Sequence, residues 1–376
     1  MLKKHQKYIF ILTIVIAIQL ASIFSFNWAI DPYKISNFIK IHKFNQAKPE
    51  VTKQARLFKA VEIIRKTPNL VLLGSSRTDL GLDASYFQEE RAYNLGILGA
   101  NMYEVLRYFQ HAIANQPDLK QAILGIDFFM FNQTRNPQID FREDRLEKTH
   151  LILPDLFNTT FSLNAIAASF ATVKSNREDP KFDPYEESGL RNNRNYIKSE
   201  LPQKSIIKGF QLSVNKFLDD PVLYGNYRLS KEQLQHLKTF VELCQQKHID
   251  FQIFISPAHA VQWETIRAAG LWDIFEEWKQ EVVKIAPVWD FSGYNSITTE
   301  PVSDTMENYL DSSHYAQNVG DLVLNRILQN RKERIPLDFG TLLTPGNVKS
   351  HIKEIQRDRE SWLKKKPDLE KRFFID

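Results

Sequence analysis

A chain of 376 residues, 43% hydrophobic and 25% charged, has enough apolar content for one large core or two modest ones, which excludes general disorder. Its formal charge is only +4, and Lys3, Lys4 and Lys7 supply most of that excess, so nothing in the balance points to nucleic acid. The single cysteine, Cys244, excludes an internal disulfide framework, and no Cys/His spacing suggests a metal site or a bound cofactor.

The chain opens with MLKKHQK and then runs through residues 8–30 without a formal charge before Asp31. Roughly 20 apolar residues suffice to cross a bilayer as a helix, so this segment reads as one transmembrane anchor. The lysines ahead of it predict a cytoplasmic N terminus and an extracytoplasmic, periplasmic body on the cytoplasmic membrane. Trp28 and Tyr33 stand where interfacial aromatics are favoured. A cleaved signal peptide would carry a shorter apolar region, roughly 7–15 residues, and a small-x-small site that this segment lacks. Residues 32–66 read as a juxtamembrane connector.

From residue 67 onward, short apolar runs alternate with helical patterns, the signature of an α/β fold with a parallel sheet covered by helices. Strands are expected at residues 69–73, 92–95, 121–128, 249–255 and 287–289. Between the second and third, Met102, Val105, Leu106, Phe109 and Ile113 recur at helical spacing. SKEQ at 230–233 matches a capping box and opens a helix whose Leu237, Phe240, Val241 and Cys244 form one apolar stripe. Further helices fit residues 259–269 and 272–285. The alternation breaks at about 131–227, far longer than a βα loop of roughly 2–6 residues, so this stretch is an insertion. It carries the charge runs FREDRLEK and SNREDPKFDPYEE, with helix around 155–173 and 205–218. Such an insertion either shapes a ligand site or decorates the surface. The α/β domain spans 67–330, and 331–376 is a charged tail with a helix at 347–364.

In an open parallel sheet, ligands bind beyond the carboxyl ends of the strands. The segments at those ends are GSSR (74–77), NLGILGAN (94–101), GIDFF (125–129), SPAH (256–259) and DFSGYN (290–295). Ahead of a helix in the final part of the α/β domain, YLDSSHY carries Asp311 and His314. A serine hydroxyl needs a base to remove its proton, and the base needs an acceptor to fix its tautomer. Ser76, His314 and Asp311 offer those three roles on one rim, with Asp290 a rival to Asp311. Backbone N–H groups of Ser76 and Gly99 can receive a developing oxyanion. Arg77 either meets an anionic substrate group or pairs with Asp79 or Asp83. Asn101, His259 and Asp290 follow strands and are expected to line the cleft and touch substrate. His42, His111, His150, His236, His248 and His351 read as surface or packing residues.

Taken in order, these blocks resemble those of the SGNH (GDSL-like) hydrolase superfamily. GSSR stands where that family has Gly-Asp-Ser, which makes Ser76 the nucleophile and Ser75 the replacement for the aspartate. NLGILGAN matches the second block, with the glycine donor at Gly99. GID at 125–127 occupies the place of Gly-x-Asn. DSSH matches the Asp-x-x-His block, with Gly320 in the helix that follows. More narrowly, an N-terminal anchor, GSSR, a long insert and DSSHY look like the membrane-tethered branch that modifies cell-envelope polymers. That branch includes the alginate O-acetylation proteins and the teichoic-acid D-alanyl transfer protein.

The resemblance covers residues 67–330 and implies a flavodoxin-like three-layer α/β/α domain behind one transmembrane helix. It also implies serine acyl transfer through an acyl-enzyme without a cofactor. The expected reaction is O-acetylation of a cell-envelope or exported polysaccharide acceptor, or the matching esterase reaction, beside a membrane-bound O-acyltransferase partner. One departure stands out: the third block normally supplies an asparagine donor to the oxyanion hole, and here the residue is Asp127, whose carboxylate accepts but cannot donate. Asn101 offers itself as a substitute donor. The alternative class is a catalytically degenerate domain that binds glycan or scaffolds an export complex, and Asp127 is its best support. A dinucleotide-binding domain is excluded because NLGILGAN lacks the third glycine of that fingerprint.

Overall fold

The computed structural model describes residues 2–36, 38–177, 183–329, 334–365 and 373–374. Residues 178–182 of the second charge run, and most of the tail after 365, lie outside the described residues. In chain order the elements are α1 (Leu2–Ile30), α2 (Ala55–Lys66), β1 (Leu70–Leu73), α3 (Ser76–Gly81), β2 (Ala92–Asn94), α4 (Met102–Asn115) and β3 (Gln121–Ile126). Then come α5 (Leu153–Thr160), α6 (Leu163–Arg177), α7 (Asn193–Glu200), α8 (Ile206–Asp219), α9 (Lys231–Lys247) and β4 (Asp250–Ile255). The chain closes with α10 (Ala260–Ala268), α11 (Trp272–Ile285), β5 (Val288–Asp290), α12 (Gln317–Ile327), β6 (Thr341–Leu343) and α13 (Val348–Leu363). They fall into two compact units, one of residues 1–62 and 142–184, the other of 63–141 and 185–376.

In the first unit, α1 is long and apolar enough to cross a membrane, with a mean hydropathy of 2.5 and none of its apolar window buried. Its far end is covered by α5 and α6, where Asn27 Nδ2 donates to the Thr160 carbonyl at 2.7 Å. Asp31 ends the helix by accepting from the Ile35 and Ser36 amides at 2.7 and 3.1 Å. The helix expected at 155–173 divides in two, because the Ser162 hydroxyl accepts from the Ala165 amide and starts α6 afresh. Tyr33, Ile35, Leu57, Ala165 and Ala168 form the unit's small core.

The second unit holds a six-stranded sheet in the order β2-β1-β3-β4-β5-β6. The first five strands are parallel, and their central members are continuous apolar runs because helices bury both faces. Two expectations need correction. The sheet is mostly, not wholly, parallel: β6 pairs antiparallel with β5, Val288 opposite Leu343. The third strand stops at Ile126 rather than 128, because Asp127 leads into a tight helical turn over Phe128–Phe131. That turn buries Phe128 against Tyr227, with ring centroids 4.1 Å apart. Cys244 lies in the core, and burial, with Asp250 nearby, pushes its thiol up to about 12.

The order of the strands places chemistry at one point. From β1 the sheet continues to β2 on one side and β3 on the other, so the crevice beyond the carboxyl end of β1 is the switch point where such sheets bind ligands. Helix α12 crosses α3 at this point in near backbone contact: a Cβ on Gly320 would lie 1.8 Å from the Gly81 carbonyl oxygen. Only glycine permits that approach, and it draws the loop before α12 up to Ser76.

Candidate active site

The chain leaves β1 through Gly74 and turns at Ser75, whose hydroxyl caps α3 by accepting from the Arg77 amide. Ser76 is therefore the first residue of a helix, where amides lack intrahelical acceptors. Its Oγ lies 2.8 Å from His314 Nε2. His314 Nδ1 lies 2.8 Å from Asp311 Oδ2. With a carboxylate at Nδ1, that nitrogen carries the proton and Nε2 is left to accept from the serine.

The loop that carries the histidine is built around the aspartate. Asp311 Oδ1 accepts from the Ser313 and His314 amides at 2.7 and 2.8 Å. The Leu310 amide bonds to the His314 carbonyl, and Tyr309 bridges Tyr315. Burial would raise the Asp311 carboxyl, but the His314 charge and hydrogen bonds from His314 and Tyr196 outweigh it and hold it below the usual carboxylate range. The His314 side chain keeps 16% exposure, enough to meet a substrate.

A cleft of about 400 Å³ opens over Ser76 and His314, with Gly99, Phe129, Arg135 and Tyr196 among its walls. Gly99 takes a left-handed conformation at φ +60°, as glycine readily does. Among the described residues, the amides of Ser76 and Gly99 meet no acceptor. Ser76, His314, Asp311 and Gly99 are thus brought to one cleft.

The remaining expectations fail for one shared reason: each of these polar groups is buried against a partner from elsewhere in the chain. Arg77, expected to bind substrate or pair with Asp79 or Asp83, is 1% exposed and pairs with Asp127 at 2.8 Å. It also donates to Ser313 Oγ at 3.1 Å, so it braces the histidine loop from below. Asp127 accepts from Ser75 Oγ as well, which engages both its oxygens and cancels its charge against Arg77. It is not an oxyanion donor. Asn101 is the cap of α4, locked in a reciprocal box with Glu104, and its amide donates to the Arg135 carbonyl. It neither substitutes as donor nor lines the cleft. His259 caps α10 by accepting from the Val261 amide, and its Nε2 lies 2.8 Å from the Glu300 carbonyl. Asp290 sits between Lys279 at 2.8 Å and His351 at 3.1 Å, so it is neither a cleft residue nor the orienter of His314.

Sequence reasoning missed Tyr196. Its hydroxyl donates to Asp311 Oδ2 at 2.5 Å and lies 3.3 Å from His314 Nδ1. It comes from α7 in the insertion, together with Arg191, whose guanidinium lies 5.5 Å from the Tyr196 ring. The tyrosine content of the insertion was the one available signal, and it does not say which ring turns inward. No protein-family model matches the chain, and neither does any curated protein.

Proposed function

We propose that the protein is a membrane-anchored serine acyl-transfer enzyme with an SGNH-like domain. The observation that carries this reading is the continuous hydrogen-bonded chain from Ser76 through His314 to Asp311, open to a cleft at the switch point of the sheet. The strand order 2-1-3-4-5 is that of flavodoxin-like folds, which supports the SGNH resemblance carried by GSSR and DSSH.

In this reading His314 Nε2 takes the Ser76 proton as Oγ attacks the acyl carbonyl. Asp311 stabilises the imidazolium, and the amides of Ser76 and Gly99 receive the oxyanion. His314 then returns the proton to the leaving group, which leaves an ester on Ser76. An acceptor hydroxyl, activated by the same histidine, takes the acyl group and frees the serine. The acyl group is acetyl and the acceptor a hydroxyl of a cell-envelope or exported polysaccharide; with water as acceptor the same site is an esterase. Activated acyl donors are made in the cytoplasm, so an extracytoplasmic enzyme of this kind takes its acyl group from a membrane-bound O-acyltransferase. The lysines at the start of α1, ahead of its apolar stretch, support that orientation.

The test is fluorophosphonate labelling of the full chain in detergent, beside Ser76→Ala, Ser75→Ala and His314→Ala, with folding checked by circular dichroism. Labelling that survives Ser75→Ala and disappears in the other two supports the reading. A folded wild type that takes no label overturns it in favour of a glycan-binding module, and glycan-binding assays follow.

A further inference from the structure

The first unit carries a surface that the acyl-transfer reading leaves unexplained. Residues 4–22 of α1 are exposed throughout, and cover begins only at Ile23. Taking Trp28 as the interfacial level and about 1.5 Å of rise per residue, Phe26 and Phe24 lie about 3 and 6 Å inside the bilayer. Their rings meet Phe170 and Phe161 at 5.2 and 5.4 Å. Helices α5 and α6 therefore sit at the depth of the last two turns of α1.

At that depth they point apolar groups outward. Leu153, Phe157, Leu163 and Phe170 are 79, 59, 83 and 62% exposed. No residue from Leu156 to Val173 carries a formal charge. A second segment, FIKIHKF at 38–44, is exposed at every position and alternates apolar with basic groups. Asn45 pins it to the end of α1, donating to the Ala29 and Ile39 carbonyls at 2.7 and 2.8 Å. At its other end the Phe44 ring receives Arg177 of α6, 5.1 Å away. Large apolar side chains left in water are unfavourable, by about 25 cal/mol per Å². Here they are continuous with a helix whose own solvent is lipid, and aromatic groups beside lysines are what an anionic bilayer surface accepts.

We propose that α5, α6 and residues 38–44 form a collar that inserts its apolar side chains into the headgroup–acyl boundary around the exit of α1, with Lys40 and Lys43 at the level of the lipid phosphates. The collar fixes the tilt and depth of the anchor. It stands on the first unit alone and does not depend on any chemistry at Ser76.

Depth measurement by spin label tests it. The full chain with Cys244→Ala receives single nitroxides at Phe157→Cys, Phe170→Cys or Ile41→Cys, all exposed positions, in nanodiscs of phosphatidylethanolamine and phosphatidylglycerol. Leu12→Cys in α1 and Glu242→Cys on α9 serve as the lipid and water references, and circular dichroism checks each variant. The expected result is loss of collision with an aqueous nickel chelate and gain with oxygen at all three collar sites, as at Leu12. Nickel collision equal to that at Glu242 overturns the proposal. Shielding in native membranes that vanishes in the nanodiscs also overturns it, and assigns the face to a protein partner instead.

Discussion

The Tyr196 hydroxyl donates to the Asp311 carboxylate at 2.5 Å, on the same oxygen that holds His314 Nδ1. The insertion therefore reaches into the hydrogen-bonded chain behind Ser76 rather than only forming a wall of the cleft. Two donors on one oxygen fix the carboxylate plane, and with it the imidazole. Replacing Tyr196 by Phe removes one hydrogen bond to a charged group and leaves the ring. The fluorophosphonate reaction should slow about tenfold, equivalent to ~1.4 kcal/mol, with little change in melting temperature. An unchanged rate would mean that Asp311 is held by its own loop alone.

Asp311→Asn presents an amide to His314 Nδ1 in place of an acceptor. The imidazole then favours the tautomer with its proton on Nε2, facing Ser76, where it can no longer accept. Labelling should fall by a factor on the order of 10³–10⁴ while the fold persists, read as second-order labelling rates beside far-ultraviolet circular dichroism.

Asp127→Asn restores the side chain that the SGNH pattern carries at this position, yet here it should harm the protein. Arg77 is 1% exposed and would lose its anion, and breaking a buried pair from one side costs about 3–5 kcal/mol. The variant is expected to unfold at markedly lower urea and to gain no labelling rate. A faster, equally stable Asp127→Asn would return this residue to the oxyanion hole.

The pair Lys279–Asp290, joined by His351 from α13, makes stability depend on acid. Burial opposes the ionised form of Asp290, but the Lys279 charge and the His351 hydrogen bond outweigh it and hold the carboxyl well below its ordinary value. A depressed carboxyl contributes stability above its unfolded pKa, about 3.9, and loses that contribution as pH falls toward the folded value. Urea midpoints measured downward from about pH 6 should therefore drop steeply below about pH 4 in the wild type. In Asp290→Asn the midpoint should be lower at neutral pH, and this part of the acid slope should vanish.

Much of this was legible in the sequence, and the failures share a cause. The strands β1 and β3 announce themselves because parallel strands buried on both faces are nearly unbroken apolar runs, and β4 does so by its buried end, Ile253–Ile255, after Asp250 and Gln252. The three residues of β6 carry no such run, since an edge strand is defined by the neighbour it meets. Ser76 and His314 could be paired because both lie at the ends of elements whose order the pattern gives. Arg77, Asn101, His259 and Asp290 were misread because a polar residue after a strand suggests a cleft until its partner is known. For Arg77, His259 and Asp290 those partners are Asp127, the Glu300 carbonyl and Lys279, and no local pattern ties any of them to these residues. Asn101 is the exception, because its three-residue spacing to Glu104 is that of a capping box and was readable in the sequence. Tyr196 was invisible for the same reason as those three, since only the folded path of the insertion brings it to Asp311.

That path has a consequence for proteolysis. The backbone crosses between the two units at 62–63, 141–142 and 184–185. A cut at the first crossing leaves residues 142–184 joined to the α/β unit and still packed on α1 through Asn27, Phe24 and Phe26. A cut at either of the others leaves two crossings intact. One nick at a crossing would therefore appear as two bands on a denaturing gel while both fragments still eluted together under native conditions.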